Sequence, residues 1–352
     1  MSGGVRSVDE DGHGGVLGDG HGQPAGSAAI DFDGDHQIPA VGPEARHLAT
    51  VPGGAVRRWH RRDAKPRWIP TGVPNIIVGS VRRVSAATEP PTAASWPPGP
   101  GGTWIIDLDG VVWLAGEPIV GVPEGLSHLR AAGVRPLFAS NNSSLTVGEV
   151  VTRLRRAGVK ADPDEVVTSA QAGAELVEPG STVLALAGPG VLEALVDRRA
   201  TPVAGGPADA VMVGFTRDFD FARLAEAADT VRAGARLIGT NDDATYPTPD
   251  GLLPGAGSLL AAVATASGAT PELAGKPHPP MARLISTRAD DVVCAVGDRP
   301  STDGLLARRL GVLYALVLSG VTRPGTSVEP KPAVTATDLG ALVRDVLEQW
   351  GH

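Results

Sequence analysis

The sequence predicts an α/β protein: a Rossmann-like core, meaning a parallel sheet with helices on its faces, with a smaller α/β segment inserted between its two halves. Three observations predict this. From Thr103 onward, short apolar runs alternate with helix-patterned stretches. Clusters of Asp, Ser and Asn follow several apolar runs, and ligands of parallel sheets bind beyond the carboxyl ends of strands. Residues 180–272 interrupt the alternation with strands and helices of their own.

The elements follow in order. Thr103–Leu108 is an apolar run that reads as a buried strand. Pro123–Ala132 reads as a helix stopped by Gly133, and Arg135–Ser140 as the next strand. Thr146 with Glu149 forms a capping-box pattern for a helix ending at Gly158. In the inserted segment, Thr182–Ala187, Ala210–Phe215 and Leu237–Thr240 read as strands. Phe221–Ala233 and Ser258–Thr265 read as helices. The alternation then resumes with strand Asp291–Val296, helix Ser301–Leu310, strand Val312–Leu318 and a helix from Asp338 to Gln349.

The first hundred residues differ. They are rich in Gly, Pro and isolated charges, lack sustained periodicity, and end in a Pro/Gly run. Residues 1–102 therefore read as a disordered or weakly ordered extension with a linker. Two Gly-His repeats near residues 13 and 21 are too short for a metal site. Asp31–Asp35 imitates a calcium loop but has Gly42 where a bidentate Glu is needed.

Composition excludes some classes. The formal charge of −8 opposes general nucleic-acid binding. No apolar run is long enough to span a membrane, and the N-terminus lacks the apolar region of a signal peptide. Cys294 is the single cysteine and reads as a buried small hydrophobe. The expectation is a cytoplasmic protein with no membrane partner.

Four clusters carry chemistry. Asp107-Leu-Asp-Gly110 follows the first strand. Alternate residues of an extended chain point the same way, so Asp107 and Asp109 face one site. Two such carboxylates resist joint ionisation without a cation, and a hard divalent ion such as Mg²⁺ suits oxygen ligands. Ser140-Asn141-Asn142 follows the second strand, where hydroxyl and amide groups suit a phosphate. Lys276 lies in Gly275-Lys-Pro-His-Pro279. The chain holds four lysines against 27 arginines, so a compact point charge kept here hints that guanidinium would not fit. His278 reads as loop structure or a substrate contact. Asp298 ends the strand Asp291–Val296, and Asp303 falls in the first turn of the next helix.

In this order the four clusters resemble the haloacid dehalogenase-like superfamily of hydrolases, over residues 103–350. The likeness is greatest to the branch with an inserted α/β cap domain, the NagD-like, p-nitrophenyl phosphatase and phosphoglycolate phosphatase types. The resemblance implies a core of residues 103–179 and 273–352, with 180–272 as the cap. It implies a Mg²⁺-dependent phosphomonoesterase acting on a small phosphorylated metabolite. Asp107 would be the nucleophile and Asp109 the general acid and base. Ser140, Asn141 and Lys276 would hold phosphate. Asp107, Asp109 and Asp298 would hold the metal, Asp109 through its main-chain carbonyl, and Asp303 would orient Lys276. Caps of this branch often dimerise, which implies a homodimer through the cap. The segment Asp242–Asp250 is expected to reach the leaving group. A phosphotransferase or phosphomutase using the same aspartate, and a phospho-ligand binding protein without turnover, are the alternatives.

Overall fold

The computed structural model describes residues 96–351 apart from 115, 249 and 250; the expected extension before residue 96, with its Gly-His repeats and Asp31–Asp35, lies outside the described residues. A six-stranded parallel sheet runs in the order Val334–Ala336, Leu313–Val317, Val292–Gly297, Thr103–Ile106, Arg135–Ser140, Val166–Thr168. Thr103–Ile106, the first strand among the described residues, lies near its middle, and all four of its residues are buried. That position explains its unbroken apolar run, since a parallel strand is covered on both faces.

Alternation along the strands assigns side chains to two cores. Trp104, Ile106, Phe138 and Val296 pack with the helices Val122–Ala131, Val147–Arg156 and Leu339–Trp350. Ile105, Leu137, Ala295 and Leu316 pack on the other face with Pro279–Arg288 and Leu305–Leu310. The capping box read from Thr146 and Glu149 is present, with both reciprocal hydrogen bonds. Asp338 caps the last helix by accepting the Ala341 N–H at 2.8 Å.

The inserted segment forms a second parallel sheet, ordered Glu272–Leu273, Arg236–Gly239, Ala210–Val213, Thr182–Leu186, Thr201–Val203. Pro189–Asp197 packs on one face, and Phe221–Arg232 and Ala256–Ser267 on the other. An antiparallel hairpin, Thr245–Thr248 with Gly251–Pro254, projects from this unit.

Some elements differ from the sequence reading. Helices Pro189–Asp197 and Pro279–Arg288 were hidden by their prolines, which occupy first-turn positions where a missing N–H costs nothing. The helix expected at Ser301–Leu310 opens as a π-helical turn, Pro300–Gly304, before Leu305–Leu310. The end of the Pro/Gly run, expected as linker through residue 102, packs on the core. The Trp96 ring lies 5.9 Å from Trp104, which in turn meets Trp350 edge-on at 6.4 Å. The Trp350 indole donates to the Pro98 carbonyl at 2.8 Å. Among the described residues no helix is long and apolar enough to cross a membrane.

Candidate active site

The site lies at the carboxyl ends of three adjacent strands of the six-stranded sheet. Asp107 directly follows Thr103–Ile106, and its N–H donates to the Val296 carbonyl of the neighbouring strand at 3.0 Å. Asp107 Oδ1 accepts the Leu108 N–H at 2.7 Å and lies 2.7 Å from Lys276 Nζ. One carboxylate oxygen is thereby fixed in place. Asp109, two residues on, has Oδ1 held by the Trp113 indole N–H at 3.0 Å. Both acids line one pocket, as the alternation of an extended chain requires.

Lys276 is almost fully buried and reaches two carboxylates, Asp107 and Asp303, each at 2.7 Å. Burial works against its charge, yet the two facing acids outweigh it and hold the ammonium above the usual lysine range. Asp303 also accepts the Arg299 N–H and the Thr302 hydroxyl, both at 3.2 Å. A Cβ on Gly297 would sit 2.2 Å from Asp303, so that strand end must be glycine for Asp303 to swing under Lys276.

Asp298 follows the strand Val292–Gly297. Its carboxylate accepts the Val321 N–H at 2.5 Å, and its carbonyl accepts the Thr322 hydroxyl at 2.6 Å. It is wedged between two glycines: a Cβ on Gly110 would meet Asp298 Oδ2 at 2.6 Å, and one on Gly320 at 2.0 Å. Gly110 also has φ +85°, a left-handed conformation that suits glycine. Burial pushes the Asp107 carboxyl well above the usual carboxylate range despite Lys276, pushes Asp109 up despite the Trp113 N–H, and lifts Asp298 to about 6. Carboxylate oxygens of Asp107, Asp298 and Asp303 lie within 4.8 Å of one another. Four acids thus surround one buried lysine.

The second cluster divides its work. Ser140 is buried, and its hydroxyl accepts the Asn142 N–H at 3.0 Å while keeping its own proton to donate. Asn141 spends its side chain inside the protein. Its Oδ1 accepts the Lys276 N–H at 2.7 Å, and its Nδ2 donates to the Lys276 carbonyl at 3.1 Å and to Asp243 Oδ2 at 3.0 Å. It therefore seats the Lys276 loop, and only its main chain remains for a phosphate.

Sequence reasoning gave no separate role to Asp243, which lies within the segment Asp242–Asp250, or to Arg299. Arg299 Nη1 donates to Asp243 Oδ1 at 2.9 Å, so both oxygens of Asp243 are taken by groups adjoining Ser140 and Asp298. One carboxylate from the inserted segment joins two loops of the larger sheet. Asp242, at the start of the same segment, instead faces His278 at 3.5 Å; neither lines the pocket. The pocket encloses about 340 Å³. Its floor holds Asp107, Asp109, Lys276 and Asp298, and its mouth includes Phe215 and Tyr246, whose ring centroids are 5.1 Å apart.

Comparison with known proteins places this arrangement. A family described as haloacid dehalogenase-like hydrolase matches residues 104–199, and a second, HAD-hydrolase-like, matches 273–342. The unmatched interval covers most of the second sheet. The chain is 36% identical over 249 residues to D-glycerol 3-phosphate phosphatase of Mycobacterium tuberculosis, covering 69% of this chain and 70% of that one. It is 32% identical over 256 residues to acid sugar phosphatase of Staphylococcus saprophyticus, covering 69% and 97%. Among solved structures, glycerol phosphate phosphatase of Mycobacterium tuberculosis in complex with magnesium superposes with a TM-score of 0.65 at 35% identity, covering 72% of this chain and 78% of that one. The 4-nitrophenylphosphatase of Thermotoga maritima gives 0.65 at 32%, covering 70% and 97%. With the four motif clusters gathered at one sheet edge and relatives of this identity and coverage, the chain belongs to the haloacid dehalogenase-like hydrolases and is a phosphatase of that family.

Proposed function

We propose that the protein is a Mg²⁺-dependent phosphomonoesterase that forms an aspartyl phosphate on Asp107 and acts on a small phosphate ester. The observation that carries this is Lys276 Nζ at 2.7 Å from both Asp107 and Asp303, beside Asp298, on the floor of the pocket. Phosphoryl transfer demands positioning and neutralisation of spread charge more than any other help. Here a buried ammonium and a fixed carboxylate meet at one point.

In this reading Asp107 Oδ2 attacks phosphorus while Lys276 and the Leu108 N–H hold Oδ1. The P–O bond to the leaving alcohol breaks, and Asp109 gives its proton to that oxygen. Burial supports this by favouring the protonated Asp109, and the Trp113 indole holds the carboxyl in place. Asp109 then takes a proton from water as water attacks the acyl phosphate, releasing inorganic phosphate and restoring Asp107. Ser140 donates to a phosphoryl oxygen.

The donor set fits a hard divalent cation. It offers only oxygen, and its acids outnumber the one buried lysine. Asp107, Asp298 and the Asp109 carbonyl would hold Mg²⁺, which when bound neutralises phosphoryl oxygens. Asp303, with Lys276, Arg299 and Thr302 already on it, orients the lysine. Residues 103–179 and 273–352 form the catalytic core in this account, and 180–272 a cap whose hairpin overhangs the pocket. The names of the relatives, D-glycerol 3-phosphate phosphatase and acid sugar phosphatase, support a small ester as substrate.

The test is release of inorganic phosphate from a panel of phosphate esters. Turnover should need Mg²⁺, stop with chelator, and vanish in Asp107→Asn while the melting temperature holds. Turnover surviving either the chelator or the substitution sinks the proposal.

A further inference from the structure

The pocket floor is charged, but its mouth is apolar. Leu114, Leu252 and Val321 all line it, and they are 48%, 69% and 51% exposed. They come from three separate places: the short strand Trp113–Leu114, the antiparallel hairpin Thr245–Pro254, and the loop after Leu313–Val317. Single exposed apolar side chains are ordinary on a surface, but several converging on one opening form a patch that marks a binding site. Phe215 and Tyr246 extend it inward, both half-buried, with rings tilted by 42°. Asn142, Thr245 and Arg323 edge the mouth, so polar atoms are not shut out. Asp243, the lining carboxylate outside the Asp107, Asp109 and Asp298 cluster, is already engaged by Asn141 and Arg299 and offers little to a row of hydroxyls.

This inference rests on the phosphomonoesterase reading, which places the phosphoryl group at Asp107 and therefore the rest of the ester in the mouth. We infer that the leaving group is an alcohol with an apolar or aromatic face, not a polyol. Burying such a face against Leu114, Leu252, Val321 and the Phe215–Tyr246 pair removes both surfaces from water. A polyol there would surrender hydrogen bonds to water for apolar contacts.

The experiment compares 2-phenylethyl phosphate with glycerol phosphate, two aliphatic alcohol esters, the first with an aromatic face on its leaving group and the second with a polyol. With the full chain and Mg²⁺, kcat/KM should favour the phenylethyl ester by on the order of tenfold or more. Leu252→Ser and Val321→Ser alter exposed side chains and should leave folding intact. Each should reduce that preference severalfold, mainly through KM for the phenylethyl ester. A preference for glycerol phosphate overturns the inference while leaving the phosphatase reading standing. So does a phenylethyl preference that neither substitution changes. Phosphate release from neither ester, nor from p-nitrophenyl phosphate, overturns the phosphatase reading and this inference with it.

Discussion

Replacing Gly110 with alanine probes how Asp298 is held. Gly110 has φ +85°, where a Cβ costs about 1–2 kcal/mol through its clash with the carbonyl. At this position the Cβ would also lie 2.6 Å from Asp298 Oδ2, 2.9 Å from its Cγ and 3.0 Å from Gly320 Cα. Asp298 cannot swing aside cheaply. Val321 and Thr322 hold it, and Gly320 closes its other side. Overpacking of this kind costs roughly a further 1–3 kcal/mol. Gly116 supplies the control, with φ +92° and no atom within 4 Å of its would-be Cβ. Both variants bear the backbone cost, and only Gly110→Ala bears the crowding. At about 2–4 °C per kcal/mol for a folded unit of this size, Gly110→Ala should melt roughly 2–12 °C below Gly116→Ala. Moving Asp298 should also raise the Mg²⁺ concentration for half-maximal activity severalfold, while Gly116→Ala leaves it alone. Scanning calorimetry and a Mg²⁺ titration read the two effects. Equal melting of the variants with an unchanged Mg²⁺ requirement would refute the argument that Gly110 makes room for Asp298.

Three further substitutions test other joints. Asp243→Asn removes the charge shared by Asn141 and Arg299 in a partly buried setting, a loss of about 1.5–3 kcal/mol. It should lower both kcat and Mg²⁺ affinity, read by steady-state kinetics across a Mg²⁺ series. Glu165 accepts both Arg130 nitrogens, at 2.7 and 2.8 Å. Burial alone would raise its pKa, but Arg130 and the Asp162 N–H outweigh burial and hold it below the usual range. A depressed folded-state pKa gives stability present above the ordinary carboxylate pKa and lost as pH falls through the depressed one. Glu165→Gln should therefore melt lower than wild type near neutrality, by about 1–2 kcal/mol, with the gap closing in acid; a pH-independent gap counts against the ion pair. Trp96→Ala should cost about 1–3 kcal/mol through lost packing on Trp104, seen as a lower melting temperature with unchanged kcat.

The candidate site was legible wherever its residues lay in one short run. A buried strand ending in Asp107 and Asp109 announces itself, because paired acids at an apolar strand end are costly without a cation. The Thr146 cap was readable for the same local reason. What joins distant segments was not. Asp243 acts through Asn141 and Arg299, which lie 102 and 56 residues away in the chain. Nothing near it marks it out from its neighbour Asp242. Asn141 looked like a phosphate ligand by position, but only the fold shows its amide committed to the Lys276 main chain. The hairpin carrying Tyr246 and Leu252 was hidden by its prolines, Pro247 and Pro254, which an isolated two-stranded edge tolerates.

The central claim is that Asp107 carries the phosphoryl group, and acid quenching tests it most directly. The enzyme would be mixed with ester and Mg²⁺, stopped in acid within the first turnovers, digested and mapped by mass spectrometry. One phosphoryl group should appear on the peptide containing Asp107, labile to hydroxylamine, and it should be missing from Asp107→Asn. A phosphoryl group on any other residue would contradict the account.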